Sequence, residues 1–216
     1  MKDIILFDLD GTITDPKEGI TKSLAYALAH FDINVENLDD LCKFIGPSLQ
    51  ATFCKEYNFN QADSEKAITL YRERFADVGI YENLMYDGMD VMLDTLKRNG
   101  KTIILATAKP TVFAEKILAH FNIAQYFSFV SGSELNGDRS DKKEIIEYAL
   151  DKMNITEIDR TIMVGDRKYD IDAANDVKMD TIGVLYGYGD LAELTKHKST
   201  YIAKDVEELT DIILKI

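Results

Sequence analysis

Asp8 and Asp10 stand two residues apart, directly after the apolar run Ile4-Ile5-Leu6-Phe7 and directly before Gly11-Thr12. Strand residues two apart point to the same side, but a loop beginning at Leu9 turns Asp10 toward whatever Asp8 attacks. One carboxylate can then act as a nucleophile while the other handles protons, two roles for one residue type set by environment. Gly11 permits a tight turn or close backbone approach, and Thr12 offers a hydroxyl and a backbone N–H to an anion. Two further apolar runs end in polar groups, Thr107-Ala108-Lys109-Pro110 and Gly165-Asp166-Arg167-Lys168-Tyr169-Asp170. The four carboxylates Asp8, Asp10, Asp166 and Asp170, if brought to one place, would repel one another unless a cation sat among them. Oxygen ligands of this kind suit Mg²⁺, which keeps several waters and binds one or two carboxylates plus a substrate phosphate.

Such a convergence needs elements that end at a common edge. Short apolar runs recur at Ile4–Phe7, Thr102–Ala106, Phe127–Val130, Thr161–Val164 and Thr181–Val184. Between and after them lie helical patterns, marked by Phe113, Ile117, Leu118 and Phe121, by Ile145, Ile146, Ala149, Leu150 and Met153, and by Val206, Leu209, Ile212 and Ile213. Strands alternating with helices predict an α/β fold, a doubly wound parallel sheet covered on both faces, with ligands beyond the carboxyl ends of its strands. The alternation stops from Asp15 to about Tyr81. Here Asp15 can cap a helix with Pro16 at its first position and Ile20, Leu24, Leu28 and Phe31 on one face, and helices follow over Leu49–Tyr57 and Ala62–Phe75. The division expected is an α/β core over 1–14 and 82–216, with a helical cap over 15–81 inserted in the first loop.

Composition narrows the partners. Of 216 residues 46% are hydrophobic, enough for a buried core, and no run of 18 apolar residues is present. Lys+Arg 25 against Asp+Glu 38 leaves a net charge of −13. A chain this acidic has no global field to attract a nucleic-acid polymer or an anionic membrane. Charges interrupt the N-terminal run and no small-residue cleavage site follows it, so no secretory signal is expected. Cys42 and Cys54 are the only cysteines, which fits two reduced thiols and a cytoplasmic location. His30, His120 and His197 are isolated, and Arg72 and Arg74 read as a solvated helix face that could also reach a substrate.

The segment DLDGT at 8–12 resembles the first motif of the haloacid dehalogenase-like (HAD) hydrolase superfamily. Thr107 resembles its second motif, Gly165-Asp166-x-x-x-Asp170 its fourth, and the helical segment its small helical cap. The pattern is most similar to that of phosphoglycolate phosphatase-like members, and it implies a Rossmann-like core and a Mg²⁺-dependent phosphatase acting on a small phosphorylated metabolite. The resemblance implies that Asp8 attacks phosphorus to form an aspartyl phosphate. Asp10 would protonate the leaving alcohol and then deprotonate the hydrolytic water. It also implies that the Asp8 side chain, the Asp10 backbone carbonyl and Asp166 hold Mg²⁺ with Asp170 in support, and that Thr107 hydrogen-bonds the phosphoryl oxygens. Thr107 would serve equally as a cap of the helix that follows.

A lysine should neutralise nucleophile and phosphate. The chain departs from the family pattern here, carrying Arg139-Ser140-Asp141-Lys142-Lys143-Glu144 where many relatives have Lys-Pro-x-Pro. Lys142, at the loop-to-helix junction, is the expected residue, with Lys143 as the alternative and Lys109 as added charge. Tyr186-Gly187-Tyr188-Gly189 could line the site entrance or form an ordinary glycine turn. A 5′-nucleotidase is the leading alternative activity. A β-phosphoglucomutase-like transferase and a phosphoaspartate signalling protein are weaker ones, and a monomer or small homo-oligomer would suffice for any of them.

Overall fold

The computed structural model describes all 216 residues, which form two compact units. One joins Met1–Asp15 to Met85–Ile216, and the other spans Pro16–Leu84. In chain order the first unit holds β1 (Ile4–Phe7) and a two-residue strand, β2 (Thr14–Asp15). The second unit holds α1 (Lys17–Ala29), α2 (Leu49–Glu56) and α3 (Gln61–Asp77). After another two-residue strand, β3 (Leu84–Met85), the first unit resumes with α4 (Met89–Arg98), β4 (Thr102–Pro110), α5 (Thr111–His120) and β5 (Phe127–Ser133). It ends with α6 (Lys142–Lys152), β6 (Thr161–Gly165), α7 (Lys168–Asp176), β7 (Asp180–Val184), α8 (Leu191–Lys196), β8 (Tyr201–Ala203) and α9 (Val206–Lys215).

Six strands form one sheet in the order β5-β4-β1-β6-β7-β8, and every neighbouring pair is parallel. Ile4 of β1 stands level with Thr102 on one side and Thr161 on the other. The chain therefore winds outward from β1 in one direction and then from β6 in the other. That reversal puts a crevice at the carboxyl ends of β4, β1 and β6. Successive strand residues face opposite sides of a sheet, and Ile5, Leu6 and Phe7 are all fully buried, so both faces of β1 are covered. On one face Leu6, Ile104, Ala106 and Met163 pack with Ile145, Ile146 and Ala149 of α6 and Ala173 and Ala174 of α7. This is the doubly wound α/β architecture expected from the alternation.

The helical unit is built on its own core. Ile20, Leu24 and Leu28 of α1 are buried, as are Ala67, Tyr71 and Phe75 of α3. Phe59 stacks on Phe53 with ring centroids 5.9 Å apart and meets Phe31 at 4.6 Å. Glu82 accepts hydrogen bonds from Arg74 at 2.8 and 3.0 Å and from Lys22 at 3.1 Å, tying α3 to α1. Arg74 is thus committed to a structural ion pair. No helix is long and apolar enough to cross a membrane.

Two local expectations differ from the structure. Asp15 does not cap α1, where Pro16 takes the N-cap position without a side-chain bond; the Asp15 carboxylate instead accepts a hydrogen bond from the Tyr188 hydroxyl. Thr107 does not cap α5 either. Strand β4 continues past the apolar run to Pro110, with a register break between Thr107 and Pro110, so the helix begins three residues later than Thr107 could reach.

Candidate active site

Asp8 follows the last residue of β1, and its backbone N–H donates to Val164 of β6 at 2.9 Å, so sheet pairing continues through the residue. Its carboxylate lies 2.8 Å from the ammonium of Lys142, which is equally close to Asp170 and donates to the Ala106 carbonyl at 3.0 Å. Lys142 is the first residue of α6 and is buried. Lys143, one position on, is more exposed and serves the helix through its backbone N–H, which Asp141 caps at 2.9 Å. The choice between the two lysines is therefore a matter of helix phase. Burial opposes the charge on Lys142, but the neighbouring Asp170 and Asp8 outweigh it and hold the ammonium above its ordinary range.

Asp10 is not part of that lysine's ion pair. Its carboxylate sits 2.8 Å from the ammonium of Lys109, which β4 carries two residues beyond Thr107. Burial pushes the Asp10 carboxyl up, Lys109 pulls it down, and the charge of Asp8 adds to the rise. The outcome is a raised acid at Asp10, two residues from the Asp8 carboxylate and paired with a different lysine. Thr107 is fully enclosed beside them, its hydroxyl oxygen accepting from the Lys109 backbone N–H at 3.3 Å. Thr12 is also buried, and its hydroxyl has no partner within the protein.

Asp166 follows β6 and is completely buried. One carboxylate oxygen accepts from the Tyr188 backbone N–H at 2.7 Å, and the other has no hydrogen-bond partner. Burial pushes this carboxyl well above the usual carboxylate range, and the charges of Asp170 and Asp8 push it further. Gly11, at φ +84°, passes so close that a Cβ there would lie 2.2 Å from Asp166 Oδ2. Asp170, in the first turn of α7, accepts from the Arg167 backbone N–H at 3.3 Å as well as facing Lys142.

Asp8, Asp166 and Asp170 each offer a carboxylate oxygen within 4.8 Å of the others. Three buried acids and the partly buried Asp10 face two buried ammonium groups, Lys109 and Lys142, so the fully ionised cluster carries a net charge of −2. The orphaned oxygen of Asp166, the residual charge and the all-oxygen donor set fit a divalent cation.

All the residues expected from sequence at the site lie at this one edge of the sheet: Asp8, Asp10, Thr12, Thr107, Lys142, Asp166 and Asp170. Two features go beyond them. Lys109, foreseen only as added charge, is the direct partner of Asp10. The Tyr186–Gly189 loop contacts the site residues, with the Tyr186 hydroxyl donating to the Thr12 carbonyl at 3.0 Å and the Tyr186 ring edge-on to Tyr86, centroids 4.8 Å apart. The only signal for that loop is its place straight after an apolar run.

Comparison with known proteins agrees with this geometry. A 5′-nucleotidase from Pseudomonas aeruginosa is 42% identical over 209 residues, 97% of this chain and 94% of that protein. A phosphoglycolate phosphatase from Colwellia psychrerythraea is 25% identical over 195 residues, 87% of this chain and 86% of that protein. The crystal structure of a predicted phosphatase from Clostridium acetobutylicum covers 100% of both chains at 45% identity with a TM-score of 0.97. The sequence model of the family described as haloacid dehalogenase-like hydrolase matches residues 5–184, and with it the chain belongs to that family.

Proposed function

We propose that this phosphoric monoester hydrolase cleaves nucleoside 5′-monophosphates through an aspartyl-phosphate intermediate on Asp8, with Mg²⁺ as the cation and the cytoplasm as its place of work. The observation that carries the mechanism is the division of two adjacent acids between two lysines, Asp8 with Lys142 and Asp10 with Lys109, each pair at 2.8 Å. The nucleotide reading draws its support from the 42% identity to a 5′-nucleotidase over nearly the full length of both chains. Phosphoglycolate is the second reading, supported by a more distant relative at 25% identity.

In the proposed reaction an Asp8 oxygen attacks phosphorus and the bond to the ester oxygen breaks, while Asp10 gives its proton to the departing alcohol. Asp10, now a carboxylate, takes a proton from water as that water attacks the aspartyl phosphate, releasing inorganic phosphate and restoring Asp8. Lys142 stays beside Asp8 and compensates the charge gathered on the phosphoryl group. Thr107 and Thr12 offer hydroxyls and backbone groups to the phosphoryl oxygens. Asp8, the Asp10 carbonyl and Asp166 would hold Mg²⁺, with Asp170 in support. When bound, the ion supplies positive charge at the phosphoryl oxygens. Residues 15–81 would act as a cap that excludes water and sets specificity.

The test is phosphate release from nucleoside monophosphates, phosphoglycolate and sugar phosphates, with and without Mg²⁺. Asp8→Asn should remove turnover to background, a loss of at least about 10⁴-fold, as expected when a covalent nucleophile is lost. Asp10→Asn should slow turnover by about 10²- to 10⁴-fold, the usual contribution of a general acid–base group. Full activity in Asp8→Asn would refute the nucleophile, and a preference for phosphoglycolate would favour the second reading.

A further inference from the structure

Asp166 is held by a loop with almost no bulk of its own. A Cβ on Gly187 would lie 2.4 Å from Asp166 Cβ, and one on Gly189 would lie 1.9 Å from the Asp166 carbonyl oxygen. Glycine is therefore required on both sides of Tyr188, and glycine brings backbone freedom that something must remove. Tyr188 makes the bonds that remove it. Its backbone N–H donates to Asp166 Oδ2 at 2.7 Å, and its hydroxyl donates to Asp15. Asp15 is the last residue of the core unit before the chain passes into Pro16–Leu84.

We propose that Tyr188 is a positioning residue for the metal ligand Asp166, its hydroxyl anchored on Asp15 so that its backbone N–H fixes the carboxylate. The inference rests on the reading of Asp166 as a ligand given above. With Oδ2 engaged by Tyr188, the buried Oδ1 is the oxygen left for the cation. Without the hydroxyl bond the glycine-flanked peptide can swing, and the carboxylate loses its orientation. The same bond ties the ligand to the point where the chain leaves the core. Groups that orient metal ligands from outside the coordination sphere typically contribute roughly 10- to 100-fold in affinity.

The test is Mn²⁺ binding to the intact protein, followed by the paramagnetic resonance signal of the free ion without substrate, alongside steady-state kinetics and melting. Tyr188→Phe should bind Mn²⁺ about tenfold more weakly and raise the half-saturating Mg²⁺ concentration to the same degree. KM for substrate at saturating metal should stay unchanged. Asp15→Asn keeps an acceptor for the hydroxyl and should bind Mn²⁺ as the wild type does, whereas Asp15→Ala should match Tyr188→Phe. The double variant Tyr188→Phe/Asp15→Ala should be no weaker than either single one, because both remove the same bond. Wild-type Mn²⁺ affinity in a folded Tyr188→Phe, or additive losses in the double variant, would overturn the proposal. Should Tyr188→Phe not fold, the contrast between Asp15→Asn and Asp15→Ala decides the matter in the same way. Asp166→Asn separates the two readings. If it binds Mn²⁺ normally, the ligand assignment and the positioning role fall together; if it loses binding while Tyr188→Phe does not, the positioning role falls alone.

Discussion

A buried carboxylate with one oxygen unpaired is a liability unless something binds it, and Asp166 is in that position. Its raised pKa means that the folded metal-free protein resists giving up the Asp166 proton, which the unfolded chain loses freely. The penalty sets in as pH rises above the ordinary carboxylate value of 3.8. Asp166→Asn should therefore raise the melting temperature of the metal-free protein while abolishing stabilisation by Mg²⁺. For the wild type, Mg²⁺ at about 100 times its Kd should add about 2.7 kcal/mol. That is roughly 5–10 °C in Tm for a chain of this size. Melting curves with Mg²⁺ and with a chelator check both, and a metal-free Tm lowered by the substitution would contradict the account. The acids at this site could be read from sequence because Asp8 and Asp10, and Asp166 and Asp170, lie in the short polar segments that follow two apolar runs. Lys142 could be narrowed only to one of two neighbours, because sequence does not fix where a helix starts to within one residue. The partnership of Lys109 with Asp10 depends on β4 running on through four polar and small residues, which no apolar pattern marks.

At the level of elements, the helices of the Pro16–Leu84 unit are joined by a charge cluster as well as by their apolar faces. Arg74 above all, and then Lys22, hold the Glu82 carboxyl below its ordinary range despite partial burial. A carboxyl lowered by folding stabilises the native state above its unfolded value of 4.5, and that contribution is lost as pH falls through the lower native value. Glu82→Gln should thus cost about 1 kcal/mol near pH 7, since a two-pronged Arg–carboxylate pair exceeds a simple exposed one. The difference from wild type should shrink below pH 4.5 and close in more acid solution. Urea titrations at pH 7 and pH 3 measure it, and a pH-independent difference would mean that the side chain acts through packing alone. Periodicity identified α1, α2 and α3 because their apolar residues recur at helical spacing. It did not identify β8, where three residues, Tyr201–Ala203, are too short a run to stand out from a loop. The 3₁₀ segment Leu38–Phe44 is equally hidden, its seven residues having too few turns for a face to show.

For the whole molecule the decisive quantity is charge. A net −13 surrounds a site whose proposed substrate is itself an anion, so approach from solution is uphill until the substrate comes close to Lys109 and Lys142. The two fields differ in reach. The global repulsion acts across tens of ångströms at low salt, where the screening length is about 30 Å, and is largely removed at 0.15 M, where it is about 8 Å. The lysines are buried at the edge of the sheet and act at contact distance, where salt screens little. Raising monovalent salt from about 0.01 to 0.15 M at saturating Mg²⁺ should therefore increase kcat/KM for a nucleoside monophosphate by about two- to threefold. The gain should fall in KM rather than kcat, because the reacting groups themselves are shielded from the added ions. A protein that drew its substrate by a long-range positive field would show the opposite slope. Steady-state rates across that salt range, with Mn²⁺ or Mg²⁺ held saturating throughout, distinguish the two, and a fall in kcat/KM would mean that a long-range positive field at the site mouth outweighs the acidic surface.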